Sequence, residues 1–225
     1  MIRICAISDM HGQYDFGISP VDILFICGDI VPLRMQMNIP QSVSWFKKQF
    51  IPWCIDQHAD KVIMVAGNHD FFLERFTPEH IREFLTGTNI EILYDEGTTY
   101  KEYTIWGSPQ CHQFGNWAFM NTDEFIRKKL EWMPENLDFL ITHDAPFGRN
   151  DVLLQEDCVW ADGSHIGNIP LVEAVKEKKP KYHFTGHLHS TDHELKDYDG
   201  TKTACVSLLN ENYKMAYQPL YLTIE

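Results

Sequence analysis

Short apolar runs recur along the chain, and polar residues or glycines follow each of them. Runs of roughly four to eight residues that are rich in β-branched and aromatic side chains are typical of strands buried on both faces. The pattern therefore predicts five strands of this kind. They are Met1–Ser8, Val21–Cys27, Lys61–Ala66, Leu137–Thr142 and Tyr182–Thr185.

Helical spacing of apolar positions separates these strands. The predicted helices are Gln41–Gln57, Pro78–Leu85, Thr122–Trp132 and Asn168–Lys179. Alternation of strands and helices indicates an α/β layer structure. No internal repeat, low-complexity segment or linker interrupts the sequence pattern, so we interpret residues 1–225 as a single domain.

Shorter alternating segments predict a second, partly antiparallel sheet that packs on the first. The segments are Gly97–Trp106, Thr191–Lys196, Thr201–Leu208 and Leu220–Ile224. Asp199 and Gly200 form a dipeptide that favours a tight hairpin turn between two of them. Long loops in a compact domain are often functional. Three such stretches remain, namely Gly28–Pro40, Gly107–Asn121 and Asp144–Ile166.

The carboxyl ends of the five buried strands carry Asp, Asn or His side chains. These are Asp9 and His11, Asp29, Asn68 to Asp70, His143, and His187 with His189. Ligands bind at this edge of an open α/β sheet, so we expect these side chains to converge. Taken singly, each residue is explained as well by a cap, a turn or a core position. Five such endings together favour a shared site.

Oxygen and nitrogen donors of this kind suit a pair of borderline divalent metals. A carboxylate can bridge two ions, and two ions about 3.5–4 Å apart can clamp the attacking and leaving oxygens of a phosphoryl transfer. Cysteine is absent from this set of candidate ligands, which disfavours a structural zinc site. Glycines precede Asp29, Asn68 and His187, where they permit a sharp turn and a close approach of the backbone to the metals.

Charge and composition limit the partners and the location. The chain has 32 acidic and 19 basic residues and a net charge of −13, which argues against extended nucleic acid or a membrane as partner. The N-terminal sequence MIRICAISDMHG lacks a secretory-signal pattern, and no apolar run approaches the roughly 18 residues of a membrane span. We therefore expect a cytoplasmic protein. The six cysteines include no C-x-x-C pair and are expected to be buried free thiols.

The strand-end residues also match, in order, the five signature blocks of the calcineurin-like metallophosphoesterases. The blocks are Asp9-x-His11, Gly28-Asp29, Gly67-Asn68-His69-Asp70, His143 and Gly186-His187-x-His189. The chain therefore resembles this superfamily over nearly its whole length. The resemblance implies an α/β fold of two packed mixed β-sheets flanked by helices, a four-layer sandwich, with a binuclear metal centre at the strand ends.

Residue roles follow from the resemblance by position. It implies one metal bound by Asp9, His11 and His189, a second bound by Asn68, His143 and His187, and a bridge between them from Asp29. It also implies that a metal-bridging hydroxide is the nucleophile. His69 would assist the leaving group, and Asp70 would orient its ring. The ligand set accepts Mn, Fe, Zn or Ni, so the sequence leaves the two metals unassigned.

Two departures narrow the resemblance within the superfamily. The second block continues as Ile30-Val31-Pro32-Leu33-Arg34 and lacks the Asp-Arg-Gly continuation of the protein Ser/Thr phosphatases. The chain length leaves no room for the capping domain of the larger nucleases. The chain is more similar to the small compact branch that includes cyclic-nucleotide phosphodiesterase-like proteins.

Substrate contacts are expected from the long loops. An arginine can bind phosphate oxygens, and an aromatic ring can stack on a base. The candidates are Arg34, Trp117, Phe147 and Arg149, with Phe114 as a further aromatic residue in the same loops. Packing of its loop onto the domain is an equal alternative for Trp117. His112 and His165 also lie in these loops and are interpreted as ordinary structural residues.

We therefore expect a binuclear metal-dependent phosphoesterase that hydrolyses a small phosphodiester or phosphomonoester, with nucleotides among the candidate substrates. A phosphodiesterase is favoured over a protein phosphatase. A metal-dependent nuclease of the same chemistry is one alternative, and the acidic charge argues against it. A non-catalytic scaffold with the same fold is another, and the intact ligand set with His69 argues against that. The sequence leaves the oligomeric state open.

Overall fold

The computed structural model describes residues 1–154 and 162–225. The strands are β1 (Ile2–Ile7), β2 (Val21–Ile26), β3 (Ala59–Met64), β4 (Ile90–Ile92), β5 (Glu96–Tyr100), β6 (Tyr103–Ser108), β7 (Cys111–His112), β8 (Met120–Asn121), β9 (Phe139–Thr142), β10 (Tyr182–Thr185), β11 (Lys196–Tyr198), β12 (Thr201–Cys205) and β13 (Leu220–Ile224). The helices are α1 (Ile39–Trp45), α2 (Ile51–Asp56), α3 (Phe71–Arg75), α4 (Pro78–Leu85), α5 (Asp123–Leu130) and α6 (Ile169–Lys178).

Two large mixed sheets form the centre of the fold. The first has the strand order β13-β1-β2-β3-β4, and the second has the order β11-β12-β10-β9-β6-β5. The inner strands of each sheet run parallel to one another. Antiparallel strands lie at the edges, β13 in the first sheet and β5 and β11 in the second. The predicted pair of mixed sheets is therefore confirmed.

The two sheets pack face to face, and helices cover their outer faces. Between the sheets, the ring centre of Phe25 lies 5.2 Å from that of Phe139 and 5.8 Å from that of Phe184. On the outer face of the first sheet, Leu24 shares a core with Phe46 and the side chains of α1 to α4. The outer face of the second sheet packs on α5 and α6. The order helix, sheet, sheet, helix is the predicted four-layer sandwich, and burial on both sheet faces explains the apolar runs.

The helix predicted over Gln41–Gln57 changes its geometry midway. It consists of α1, a wider π-helical turn over Phe46–Phe50, and α2. Pro52 lies in the first turn of α2 and has no N–H to donate to the turn before it. A wider turn at that point lets the chain stay helical. Among the described helices, none is long and apolar enough to cross a membrane.

One C-terminal strand was predicted in the wrong place. The strand expected over Thr191–Lys196 is wrong, because β11 begins only at Lys196. The Asn150 side chain instead donates hydrogen bonds to the carbonyls of Asp192 (2.7 Å) and Glu194 (3.1 Å). A side chain from a distant loop thus satisfies backbone groups that a neighbouring strand would otherwise bind.

The hairpin predicted at residues 199 and 200 is confirmed. Asp199 (φ 57°) and Gly200 (φ 91°) both have the left-handed backbone that a two-residue hairpin turn favours, and they join β11 to β12. The strand predicted over Thr201–Leu208 is shorter than expected, since β12 ends at Cys205. The alternating segment Gly97–Trp106 resolves into a second hairpin, formed by β5 and β6.

The described cysteines are buried and unpaired, as predicted. They are Cys5, Cys27, Cys54, Cys111 and Cys205. Burial raises the pKa of Cys5 and of Cys205 to about 12. These thiols therefore stay protonated near neutral pH and act as small apolar side chains. Cys158 lies outside the described residues.

Candidate metal centre

The predicted metal ligands lie together where the two sheets meet. They form the ligand group, which consists of Asp9, His11, Asp29, Asn68, His143, His187 and His189. Strands β1 to β3 of the first sheet and β9 and β10 of the second lead into it. Among the described residues, carboxylate and imidazole atoms form three clusters that could hold a metal ion, each with its atoms within 4.8 Å of one another. The clusters are Asp9 with His11 and His189, His11 with Asp29 and His69, and Asp9 with Asp29 and His143.

Asp9 connects the two sheets. It follows β1, and its Oδ2 accepts hydrogen bonds from the backbone N–H of His187 (2.9 Å) and from the Ser207 hydroxyl (2.7 Å). Its Oδ1 lies 3.3 Å from Nε2 of His189. Burial alone would raise the pKa of Asp9, but the hydrogen bond from His189 and the surrounding imidazoles hold it well below its ordinary value. Sequence reasoning missed Ser207, because it lies inside an apolar run.

Asp29 lies at the centre of the ligand group. The backbone N–H of His69 donates to its Oδ1 at 2.7 Å. Its Oδ2 faces the Nε2 atoms of three imidazoles, His11 at 3.7 Å, His143 at 3.5 Å and His69 at 3.9 Å. Burial would raise the pKa of Asp29, but the charges of His143 and His69 lower it below its ordinary value. One carboxylate thus contacts imidazoles from both sets of predicted ligands, as a bridging residue must.

Asn68 brings the remaining predicted ligands together. Its Oδ1 lies 2.8 Å from Nε2 of His143 and 2.9 Å from Nδ1 of His187. The second ring nitrogen of His143 contacts the Cys27 carbonyl at 2.8 Å. A hydrogen bond on one ring nitrogen fixes the tautomer and orientation of an imidazole and leaves the other nitrogen free to bind a metal. The same arrangement recurs at His189, whose Nδ1 contacts a backbone carbonyl at 3.0 Å.

The imidazoles fall into two electrostatic classes. Burial lowers the pKa of His11 and of His187 to about 4 in each case. Burial also acts on His143 and His189, but the nearest carboxylates outweigh it and raise their pKa values to about 10 and about 9. The two buried carboxylates therefore draw positive charge into the site. A bound cation would meet the same requirement.

His11 is the clearest indication that a cation fits here. Both of its ring nitrogens are buried, and neither has a hydrogen-bond partner among the described residues. Leaving a buried polar atom unpaired costs about 1–3 kcal/mol. A divalent cation held by the imidazole would remove this cost, and the Asp, Asn and His donors match the borderline divalent metals. The residues present therefore fit a metal centre.

The backbone around the ligand group is strained. Several of its members have left-handed backbone angles that are uncommon for residues with a side chain, namely Asp9 (φ 53°), His11 (φ 41°), Asp29 (φ 52°) and His187 (φ 69°). Each such angle costs on the order of 1–3 kcal/mol, and strain of this kind clusters at functional sites. Gly67 permits a close approach of a different kind, because a Cβ there would collide with the Asp29 carboxylate.

Asp70 does not orient the ring of His69, and this corrects the prediction. Its Oδ1 accepts hydrogen bonds from the backbone N–H groups of Ile30 and Val31, both at 3.0 Å. Its Oδ2 accepts one from the N–H of Gly67 at 2.8 Å. Burial and a neighbouring carboxylate raise the pKa of Asp70 to about 7. Asp70 therefore ties the loop after β2 to the loop after β3 and supports the ligand group through the backbone.

Gln36 takes the position expected for Asp70. Nδ1 of His69 forms a short hydrogen bond with Oε1 of Gln36. The other ring nitrogen, Nε2, faces the ligand group through Asp29. An amide in this place holds the imidazole without adding a charge. Nothing in the sequence marks Gln36, which is one of several polar residues in a long loop.

A cavity of about 420 Å³ opens over the ligand group. It is lined by Asp29, Asn68, His69, His112, Phe114, Trp117, Leu153, Ile166, His187, Leu188, His189, Glu211 and Tyr213. Three aromatic rings each lie against a histidine, namely Trp117 at 4.6 Å from His69, Phe114 at 5.2 Å from His187 and Tyr213 at 5.1 Å from His11. A cavity of this size, with mixed apolar and polar walls, fits a small-molecule ligand.

Arg149 does not contact the cavity, contrary to the prediction. Its side chain is only 3% exposed, and Nη2 lies 3.6 Å from an Asp199 carboxylate oxygen. The guanidinium also lies 5.5 Å from the ring centre of Tyr198. A carboxylate and an aromatic face stabilise a buried arginine, and here both come from the hairpin of β11 and β12. The predicted substrate contact is therefore wrong for Arg149.

The other loop residues have mixed outcomes. Trp117 lines the cavity, as the substrate prediction requires. Phe147 and Arg34 are exposed and lie outside the lining, so their substrate contacts stay predictions. Phe147 instead packs on His165, with ring centres 5.3 Å apart. His112 was interpreted as an ordinary loop residue, yet it forms part of the cavity wall.

The order and spacing of these residues agree with a known protein family. The family profile described as calcineurin-like phosphoesterase matches residues 2–191. The chain belongs to the calcineurin-like phosphoesterase family. The matched span contains the whole ligand group and His69. The family relationship and the clusters of Asp and His together support a phosphoesterase that depends on divalent metals.

Relatives of this phosphoesterase occur in animals. Human metallophosphoesterase domain-containing protein 1 is 26% identical over 99% of this chain and 71% of its own length. The UPF0046 protein T07D4.2 of Caenorhabditis elegans is 25% identical over 99% of this chain and 60% of its own length. The match to the solved structure of TT1561 of Thermus thermophilus covers 91% of this chain and 88% of the TT1561 chain, with a TM-score of 0.57 and 12% identity. Identity this low supports the shared fold alone.

Proposed function

We propose that this phosphoesterase hydrolyses small phosphoric esters with the aid of two divalent cations. One cation would be bound by Asp9, His11 and His189, the other by Asn68, His143 and His187, and both would contact Asp29. The observation that carries the proposal is the clustering of these donors. The ring nitrogens of His11 support it, because they are buried and have no hydrogen-bond partner among the described residues. Donors of these types suit Mn, Fe, Zn or Ni.

The two cations would activate water and neutralise charge on the phosphoryl group. Asp29 keeps its carboxylate ionised among three imidazoles and so supplies the shared anionic ligand. His69 donates a proton from Nε2 to the departing oxygen of the ester. Gln36 accepts a hydrogen bond from Nδ1 of His69 and holds the ring in place for that transfer. The ring of Trp117, 4.6 Å from that of His69, shields one side of the histidine from bulk water.

The cavity favours a phosphodiester with one apolar or flat substituent. Its lining, as far as the structure describes it, contains no Lys or Arg, while Glu211 adds a negative charge. A polyphosphate would therefore find no lysine or arginine among the described lining residues to pair with its additional charges. Phe114, Leu153 and Ile166 offer apolar surface for an organic group. A small diester with a single charge suits this distribution better than a phosphomonoester.

The test is hydrolysis of bis-p-nitrophenyl phosphate and p-nitrophenyl phosphate by protein that has been chelated and then reloaded with Mn²⁺, Fe²⁺, Zn²⁺ or Ni²⁺. The expected result is turnover that depends on the cation, with a higher kcat/KM for the diester. Bound cation is measured separately by elemental analysis. Two bound cations with no turnover of either ester would contradict the proposal, and a preference for the monoester would contradict the diester assignment.

A further inference from the structure

One histidine of the cavity wall, His112, is held by a buried carboxylate. Nδ1 of His112 lies 2.8 Å from Oδ2 of Asp144, and the backbone N–H of His112 donates to the same oxygen at 2.9 Å. Asp144 also accepts hydrogen bonds from the Asn168 side chain (2.9 Å) and from the N–H of Ala145 (3.0 Å). The carboxylate is fully buried and fixed on both oxygens. It therefore sets the orientation of the His112 ring firmly.

His112 lines the cavity, and Asp144 occupies only one of its two ring nitrogens. The side chain lines the cavity and is 24% exposed, while Nδ1 is occupied by Asp144. Nε2 is therefore the ring atom that a ligand in the cavity can reach. Phe114 contacts both His112 and His187. Its ring centre lies 5.6 Å from that of His112 and 5.2 Å from that of His187. His112 thus stands near the part of the ligand group that contains His187.

The surroundings of His112 favour a positive charge. Burial lowers its pKa, but the hydrogen bond and charge of Asp144, with a smaller contribution from Asp123, raise the pKa above its ordinary value. The group behind the ring of His69 is instead the neutral amide of Gln36. Of the described residues that line the cavity, none is Lys or Arg. An anionic ligand must therefore find its cationic partner among the histidines or the bound cations.

We propose that His112 binds an anionic oxygen of the ester substrate through Nε2 and is a specificity-determining residue of the site. The proposal rests on the phosphoesterase function proposed above. A hydrogen bond from an imidazolium to a phosphoryl oxygen is charge-assisted, and it acts on substrate binding rather than on the breaking of the ester bond. The oxygen would be one that the bound cations do not contact. Its contribution grows with the charge on the substrate, since a phosphomonoester carries two negative charges and a diester one.

The experiment compares the wild type with His112→Gln, which keeps a polar side chain and loses the charge. For both p-nitrophenyl esters we expect KM to rise by roughly 10- to 100-fold, as for loss of a hydrogen bond between charged groups. The kcat value should change by less than about threefold, because the chemistry is untouched. The increase in KM should be larger for the monoester. Bound cation and thermal midpoint should match the wild type.

A pH profile gives a readout that a purely structural role would not move. In the wild type, KM should rise as pH increases through the pKa of His112, because the ring loses its charge. In His112→Gln, KM should lack this dependence. Asp144 and Asp123 are the charged groups that act on His112, so Asp144→Asn should shift the rise in KM to lower pH.

The chain offers a matched control at His165. Its Nδ1 lies 2.6 Å from Oδ1 of Asp151, a buried carboxylate that also accepts N–H bonds from Gly148 and Gly167. His165 therefore repeats the pairing of His112 with Asp144 but does not line the cavity. His165→Gln should leave KM and its pH dependence unchanged. An equal shift in both variants would overturn the proposal, as would a KM for His112→Gln within about twofold of wild type.

Binding of inorganic phosphate separates this proposal from the function on which it rests. Calorimetry on the cation-loaded protein should show roughly 10-fold or greater weakening of phosphate binding in His112→Gln, with no change in His165→Gln. Wild-type protein that binds phosphate but hydrolyses neither ester would contradict the proposed function and leave the His112 comparison intact. Equal phosphate affinity in wild type and His112→Gln would refute the role of His112 directly.

Discussion

The ligand group and the cavity wall differ in how their side chains are held. Asp9 and Asp29 in the ligand group are almost completely buried and accept hydrogen bonds from backbone N–H groups in the loops after β10 and β3. Aromatic residues of the wall are partly exposed, with Phe114 at 52%, Trp117 at 37% and Tyr213 at 38%. Their rings lie against histidines of the site. The sheets thus hold the predicted metal ligands in place. The loops of the cavity wall are less constrained and would determine which ester fits.

The largest expected effect comes from Asp29→Ala. Removing the shared carboxylate should release both cations and abolish ester hydrolysis, a larger loss than the roughly 10- to 100-fold change in metal affinity caused by losing a group that only orients a ligand. Elemental analysis and hydrolysis of bis-p-nitrophenyl phosphate measure both. Asp95→Ala is the control, since Asp95 is another largely buried carboxylate, bonded to Ser108 and Gln110 outside the cavity. Full activity in Asp29→Ala would refute the bridging role.

His69→Ala should keep both cations and lower kcat by a factor on the order of 10² to 10⁴, as expected for loss of a general acid. Nε2 of His69 faces Asp29 at 3.9 Å, and His69 is not one of the predicted ligands, so cation binding should survive. Single-turnover hydrolysis and elemental analysis test the two parts. If the variant instead loses its cations, His69 belongs to the ligand group and not to the cavity wall.

Gln36→Ala should lower kcat by about 10-fold without loss of cations, because the His69 ring loses the group that holds Nδ1. Gln36→Glu sharpens the test. A carboxylate in this place can also accept the hydrogen bond from Nδ1, so kcat should stay above that of Gln36→Ala. Steady-state kinetics measures the difference. Unchanged kcat in Gln36→Ala would show that the loop does not position the acid.

Trp117→Ala should raise KM for bis-p-nitrophenyl phosphate by about fivefold, which corresponds to about 1 kcal/mol of lost ring contact. The kcat value should fall less than KM rises. Trp132 provides the matched control, because it is 77% exposed and outside the cavity. A similar rise in KM for Trp132→Ala would mean that the effect of Trp117 is not local.

The smallest effect is expected for Arg34→Ala. Arg34 is exposed and lies outside the cavity lining, although the sequence made it a candidate for binding phosphate. The values of KM and kcat should stay within about twofold of wild type, as for most exposed positions that touch no ligand. Steady-state kinetics with both p-nitrophenyl esters checks this. A clear rise in KM would place the loop after β2 in contact with substrate.

The strands and the ligand group were predictable because both leave a mark in the linear sequence. A strand buried on both faces needs a continuous apolar run, and a polar residue directly after it must lie at the strand end. Asp9, Asp29 and His143 follow this rule. Their convergence depends only on parallel strands ending on one side, which the α/β pattern already implies.

The loop residues were less predictable because tertiary contacts decide where their side chains point. From the sequence, Arg149 is a reasonable candidate for binding phosphate. In the structure it pairs instead with Asp199 of the hairpin of β11 and β12. Gln36 has no local pattern that distinguishes it from other loop residues. Glu211 and Tyr213 reach the cavity from a segment that carries no signature block. Packing between distant segments sets the positions of loop side chains, and the periodicity of the sequence does not reveal this packing.

The hydrogen bond from His187 to Asp9 joins residues that are 178 positions apart in the chain. A contact of such long range forms only after most of the chain has been organised, since closing so large a loop is entropically costly. A growing or truncated chain that lacks β10 therefore has no complete site at which to retain a metal. A bound metal would then indicate that folding is finished, because only molecules whose two sheets have docked have the complete site.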